Sequence, residues 1–591
     1  MHVHRTSRYE ANIDLSNAVA TITVVDDPSA RAVVGLSMAV DALGELVRDV
    51  GRVLATETRV TESGELCITF TVESEVWASK TVEATFSDDA IALRATVTGI
   101  GRRVREVRAL ISADGEGSDV GAAHLYSPRF DWFEAQVRSA PDVRERLGAQ
   151  QWLSPPPLVY VLEAEASALW IAACGASDEL DFVSMDWDGS SGGVVTLPYE
   201  GHRTVHGTFS TPVIAVGVAR EGGNHAVRSA VEWQRDRGIL PRVQDKVIPS
   251  WWSEPIFCGW GQMRADYRAD HQGHENGNFI NVTSYCTELR YRNYMADLDA
   301  RGVDPGTIVI DMGWAAQAAL ARPHPHRWSN LRGFVDEQHA RGRRVLLWFS
   351  PSVAEGLPPE ACMTLQGEIL APDPTSPVYR DILREQIRIM LSGEEGCLNA
   401  DGFKIDFTQC YPSEDGRFVS AVQNFAGIIN EEDHRYLYPR LSEGREELIQ
   451  THGERWGIAL IRDHIGQIYA AMKEVKPDSA LMTHTANPAF ADVVDILRLN
   501  DLDGDCGDVL AVMTNRAELA RISCDSWLID TDDDLMIDKE RWLAYARLQP
   551  KIGIPDSYYV SAVAHSGEAI TADDWREVRA IWAEYRSKKA T

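Results

Sequence analysis

Two side chains able to do chemistry together stand two residues apart in Asp401-Gly-Phe-Lys404-Ile-Asp406-Phe. Apolar and charged residues alternate there behind a glycine, the pattern of a buried strand whose last residues break out of a core into a pocket. Side chains alternate faces along a strand, so Lys404 and Asp406 emerge on the same side. The ammonium is expected to hold the carboxylate ionised and aimed. An ionised carboxylate at a strand's C-terminal end is what covalent glycosyl transfer uses as a nucleophile. A lone K-x-D is more often a strand end with a surface ion pair, so the surrounding residues have to decide.

Those residues fall at the ends of other strand-like runs. Asp311 and Trp314 follow Ile308-Val-Ile, Trp348 closes Val345-Leu-Leu-Trp, and His484 follows Ala480-Leu-Met-Thr. Arg498 and Asp501 open the segment Arg498-Leu-Asn-Asp501-Leu-Asp-Gly-Asp. Carboxylates, aromatic faces and fixed donors are the chemistry of a sugar site, where rings stack on pyranose C–H faces and carboxylates accept hydroxyl hydrogen bonds. Trp348 fits a barrel core equally well, while Thr483 and Thr485 beside His484 favour a pocket role for that ring. A retaining glycosidase needs a second carboxyl about 5–5.5 Å from the nucleophile. Asp501 stands closer to its strand end than Asp503 or Asp505 and is preferred, and its pKa must lie above that of Asp406 for the two roles to separate. Arg498 either lowers a neighbour's pKa or binds substrate.

Two regions of different rhythm must position these groups. Up to about residue 248, short β-rich runs (19–25, 66–72, 90–97, 157–163, 168–173, 193–197) are punctuated by turn residues, which predicts a β-sandwich domain over 1–248. Asp186-Trp-Asp-Gly-Ser-Ser-Gly-Gly is expected as an exposed turn, one that could lean over a neighbouring pocket. From about 249 strands alternate with helices, among them 331–340, 378–391 and 571–587, which predicts parallel β/α units. About eight such units over 249–591 imply a (β/α)8 TIM barrel, whose functional residues sit at strand C-terminal ends. An open doubly wound sheet is disfavoured by the lack of a Gly-rich phosphate loop. The polar excursion 411–455 is too long for an ordinary connection and could carry substrate contacts or an oligomer surface.

The 591 residues carry a formal net charge of −30, which argues against nucleic acid and anionic membranes as partners. Nine cysteines without C-x-x-C spacing suggest neither a zinc site nor a disulfide framework. With no apolar leader and no long apolar run, a cytoplasmic location is expected.

Taken together, the second region resembles the retaining α-glycosidase clan that includes α-galactosidases and related α-glucosidase families. The clan's K-x-D strand end corresponds to Lys404 and Asp406, and its R-x(2–5)-D segment to Arg498 and Asp501. Its D-D-G-W and W-F-E-P-E segments are similar to Asp311-Met-Gly-Trp314 and Trp348-Phe-Ser-Pro-Ser352, and its first barrel strand to Ile256-Phe-Cys-Gly-Trp260. The resemblance implies an exo-acting α-glycosidase with Asp406 as nucleophile and Asp501 as acid/base. Trp260, Asp311, Trp314, Trp348, Lys404, His484 and Arg498 would form the sugar pocket. It implies a small glycoside or oligosaccharide as substrate, compatibility with a homo-oligomer, and no metal or organic cofactor. Met312, Ser350 and Ser352 stand where the clan has acids that grip sugar hydroxyls, and no room remains for its usual C-terminal β-domain, so the glycone preference should differ. A transglycosidase or lyase would use the same pair, and a sugar-binding protein would need no such pair. A metal-dependent hydrolase would rest on His324 and His326 with His484 as third ligand.

Overall fold

The computed structural model describes residues 2–121, 123–128, 138–148, 155–243, 246–271, 279–408, 410–414, 447–499, 501 and 507–589. Before residue 220 the chain is antiparallel β-structure. A four-stranded sheet, His2–Arg5 to Arg31–Gly35, lies beside a larger sheet whose long strands Ala90–Ile111 and Val194–Ser210 pair with each other. Alternating burial in Tyr9–Asp14 and Ser79–Phe86 shows why these segments form strands: every second side chain enters the core between the sheets. The predicted turn at Asp186 is different. Asp186 to Asp188 end the strand Ser184–Asp188, Trp187 is buried, and its indole N–H donates to the Ala140 carbonyl at 3.0 Å. Only Ser190 and Ser191 of that stretch are exposed, because burying the indole outweighs the turn-forming polar residues around it.

Eight parallel strands follow. We label them β1 (Ile256–Cys258), β2 (Thr307–Ile310), β3 (Arg344–Phe349), β4 (Gly402–Ile405), β5 (Ala480–Thr483), β6 (Ile496–Arg498), β7 (Leu528–Asp530) and β8 (Asp556–Ser557). They pair in chain order, with β8 returning to β1. Ile554, just ahead of β8, bonds β7 through its N–H to the Ile529 carbonyl at 2.6 Å, which nearly closes the ring. The chain is therefore a β-sandwich followed by a TIM barrel, and all eight strands deliver their C-terminal ends to one face. Strand β7 has no counterpart among the runs recognised in the sequence, because it is three residues long and leads directly into a threonine and three acids. Between β5 and β6 the outer layer is a 3₁₀ turn at Pro488–Phe490 rather than a helix.

The two parts are joined by built contacts. The N–H groups of Ile458 and Ala459, at the start of helix Gly457–Val475, donate to the carbonyls of Phe182 and Leu180 in the sandwich. They are among the first four N–H groups of a helix, which have no partner inside it. Among the described residues no helix is long and apolar enough to cross a membrane.

Candidate active site

Strand β4 ends in an abrupt turn. Phe407 takes a left-handed backbone conformation (φ 55°), so the chain breaks away just after Asp406. Asp406 Oδ1 accepts the Phe407 N–H at 3.0 Å, and its Oδ2 accepts the Trp348 indole N–H at 3.2 Å. Around Oδ1 stand His484 Nε2 at 3.2 Å and Arg498 Nη1 at 3.6 Å. Trp348 is fixed in turn, since its carbonyl accepts the Trp314 indole N–H at 2.8 Å. Trp314, Trp348, Arg498 and His484 are buried, whereas Asp406 keeps 19% of its side chain exposed and Asp501 keeps 23%. The two carboxylates thus keep partial exposure among groups that are otherwise buried.

Arg498 joins them. Its Nη2 contacts Asp501 Oδ1 while its Nη1 faces Asp406, so one planar guanidinium spans both carboxylates. That bridge keeps them closer than the roughly 9.5 Å upper limit for two-carboxyl glycoside chemistry. Their proton affinities are driven apart. Burial works against the Asp406 charge, but Arg498, His484 and Lys404 outweigh it and hold the carboxyl well below the usual range. Burial raises the pKa of Asp501; Arg498 opposes the rise, and the Asp532 and Asp406 charges reinforce it.

Lys404 favours the Asp406 charge from a distance, and its direct contact is elsewhere. Its Nζ bonds Asp311 Oδ2 at 2.7 Å, with the Cys258 thiol on the same oxygen at 3.0 Å and the Tyr558 ring centre 4.9 Å away. Asp311 Oδ1 accepts the Met312 N–H at 2.7 Å, so this buried carboxylate is occupied from both oxygens. Lys404 and Asp311 form a buried ion pair, and the cations within contact range of Asp406 are Arg498 and His484 when it is protonated. The ammonium reaches inward to a carboxylate two strands away that the sequence separates by 93 residues. Trp260 opens the helix Trp260–Asp270 directly after β1 and is buried. Ser350 and Ser352 face each other at 3.2 Å, and Ser352 donates to the Phe407 carbonyl at 3.1 Å, so they brace the turn after Asp406.

Sequence reasoning missed Asp532, which accepts from Arg498 Nε, and Tyr558, which covers Lys404. The available signal was Trp527-Leu-Ile-Asp530, an apolar trio ending in acids like the strand end at Asp311. Asp503, Asp505 and most of 411–455 fall outside the described residues. Among those described, no three His, Cys, Asp or Glu side chains converge on a metal position. His326 is exposed and its N–H donates to His324 Nδ1 at 3.3 Å.

No family model matches the sequence, and no curated protein is similar to it by sequence. Solved structures are similar in shape. The chain is similar to the α-N-acetylgalactosaminidase NagBb of Bifidobacterium bifidum, solved with Gal-NHAc-DNJ, over 99% of this chain and 93% of that one (TM-score 0.57, 10% identity). It is also similar to a GH31 family sulfoquinovosidase from E. rectale over 99% of this chain and 83% of that one (TM-score 0.51, 12% identity). The likeness is one of fold, and it agrees with the sandwich-plus-barrel plan that the clan resemblance implied.

Proposed function

We propose that this chain is an exo-acting retaining α-glycoside hydrolase with Asp406 as nucleophile and Asp501 as acid/base. The observation that carries the reading is the Arg498 bridge: one cation touches two strand-end carboxyls, one held ionised and the other biased toward its proton. Asp406 attacks the anomeric carbon while the glycosidic C–O bond breaks and Asp501 gives its proton to the leaving oxygen. Asp501 then takes a proton from water, whose oxygen displaces Asp406 and releases the sugar with its configuration retained.

The names of the similar structures, an α-N-acetylgalactosaminidase and a sulfoquinovosidase, favour a small glycoside or oligosaccharide as substrate. Action on a terminal sugar is what the clan resemblance implies. Trp260, Trp314, Trp348, His484 and Arg498 form the pocket wall, with Asp311 and Lys404 as the ion pair that stiffens its floor. Eight described cysteines are unpaired and buried, which suits a reducing cytoplasm. The reading is tested by trapping with a panel of 5-fluoro α-glycosyl fluorides followed by peptide mass mapping. One covalent sugar on the peptide containing Asp406 is expected. A label on another residue, or none from a sugar that the enzyme demonstrably cleaves, overturns it.

A further inference from the structure

Arg498 faces three carboxylates, and the third is unused by the mechanism above. Asp532 follows β7, and the parallel register that sets Arg498 beside Asp530 brings the residue two further on against the guanidinium. Asp532 is buried, with Oδ2 accepting from Arg498 Nε and Oδ1 accepting the Asp534 N–H at 3.1 Å. Both oxygens accept, one of them in an ion pair with Arg498. Its backbone lies in the left-handed region (φ 42°), a conformation retained where surrounding contacts enforce it.

We propose that Asp532 is a positioning residue that keeps the proton on Asp501 by neutralising the Nε edge of Arg498. The inference rests on the assignment of Asp406 and Asp501 to the two catalytic roles. Three carboxylates cannot all ionise freely around one guanidinium. Asp406 has the further help of Trp348, the Phe407 N–H and His484, and Asp532 has the Asp534 N–H. Asp501 is then the one left to carry the proton, which is what an acid for the first step requires. The groups facing Asp501 are Lys404 and Asp406 from β4, Arg498 from β6, and Asp532 and Asp534 from beyond β7. His484 from β5 and Tyr558 from β8 act on the same cluster, and Arg516 donates to the Asp501 carbonyl at 3.0 Å.

Replacing Asp532 by Asn keeps the shape and removes the negative charge, so Arg498 acts more strongly on Asp501 and its pKa falls. Two measurements test this. The first is carboxyl carbon NMR of protein labelled with 13C-aspartate, in wild type and Asp532→Asn, with the Asp501 resonance assigned by its loss in Asp501→Asn. Asp501 is expected to titrate above the usual carboxylate range in wild type and about one unit lower in Asp532→Asn. The second is the pH profile of kcat/KM on whichever member of a 4-nitrophenyl α-glycoside panel wild type cleaves. Its alkaline limb should fall by the same amount and return in Asp532→Glu. An Asp501 titration that is unraised in wild type, or unmoved by Asp532→Asn, overturns the proposal. So does a loss of activity equal at every pH. Should Asp532→Asn fail to fold, wild type and Asp532→Glu still decide: a limb lowered in Asp532→Glu contradicts the account. The titration needs no substrate, so silence across the glycoside panel would count against the hydrolase reading alone.

Discussion

At the scale of residues, the site separates two chemically identical side chains by their surroundings. Asp406 sits among cations and donors, while Asp501 shares the Arg498 guanidinium with two other acids. The rate profile follows with definite signs. Activity should fall at low pH as Asp406 takes up a proton, on a limb below the usual carboxylate range, and at high pH as Asp501 loses one, on a limb above it. Asp501→Asn should lose about 10²–10⁴-fold in kcat/KM on glycosides with poor leaving groups, and much less on activated aryl glycosides, where little protonation is needed. An equal loss on both would remove the acid role. The candidate residues were largely legible because each closes an apolar run, so pattern alone put Asp311, Trp348, Asp406, His484 and Arg498 at strand ends. Their partnerships were not. Spacing paired Lys404 with Asp406, whereas the ammonium bonds Asp311, a choice made by barrel curvature and visible only in three dimensions.

At the scale of elements, β4 is set by a position that only glycine fits. Gly402 has φ 151°, and a Cβ there would lie 2.0 Å from the Ala480 carbonyl oxygen of β5. Gly402→Ala should therefore destabilise the fold by about 3 kcal/mol, read from denaturant midpoints at constant slope; a change within error would mean that β4 and β5 can move apart. A second element carries a pH signature. His464 in helix Gly457–Val475 lies between the hydroxyls of Tyr379, 2.7 Å from Nε2, and Tyr411, at Nδ1, fixing the segment that leaves β4. Burial lowers its pKa from 6.5 to about 3. Its contribution to stability is present above the unfolded value and lost as pH falls from 6.5 towards about 3. His464→Gln should flatten the loss of stability across that window, and an unchanged slope would show the ring to be protonated without cost. Strand β7 escaped the sequence pattern because three residues are too few to show periodicity, and the acids after it look like a solvated loop.

At the scale of the whole molecule, the sandwich builds part of the barrel. The break in register at Glu200 (φ 54°), inside the strand Val194–Ser210, lets Glu200 accept the Glu414 N–H and the Trp456 indole N–H, at 2.9 and 3.0 Å. His202 stacks on Trp456, with ring centres 3.5 Å apart, and its Nε2 lies 2.8 Å from Glu414 Oε1. The sandwich thus grips both sides of the excursion that follows Asp406. Trp456→Ala should cost about 3–5 kcal/mol and lower kcat/KM, measured by thermal unfolding together with turnover. Retained activity at full stability would make this contact dispensable. The two-part plan was legible from the change of rhythm along the chain, but the clasp was not, because its members come from runs far apart in sequence.

The central claim is that Asp406 opens a double displacement on an α-glycoside. Proton NMR of the first sugar released from a cleaved α-glycoside, before mutarotation, tests it most directly when wild type is compared with Asp406→Ala. The α-anomer is expected from wild type, with no release from the variant. The β-anomer from wild type, or turnover surviving in Asp406→Ala, would contradict it.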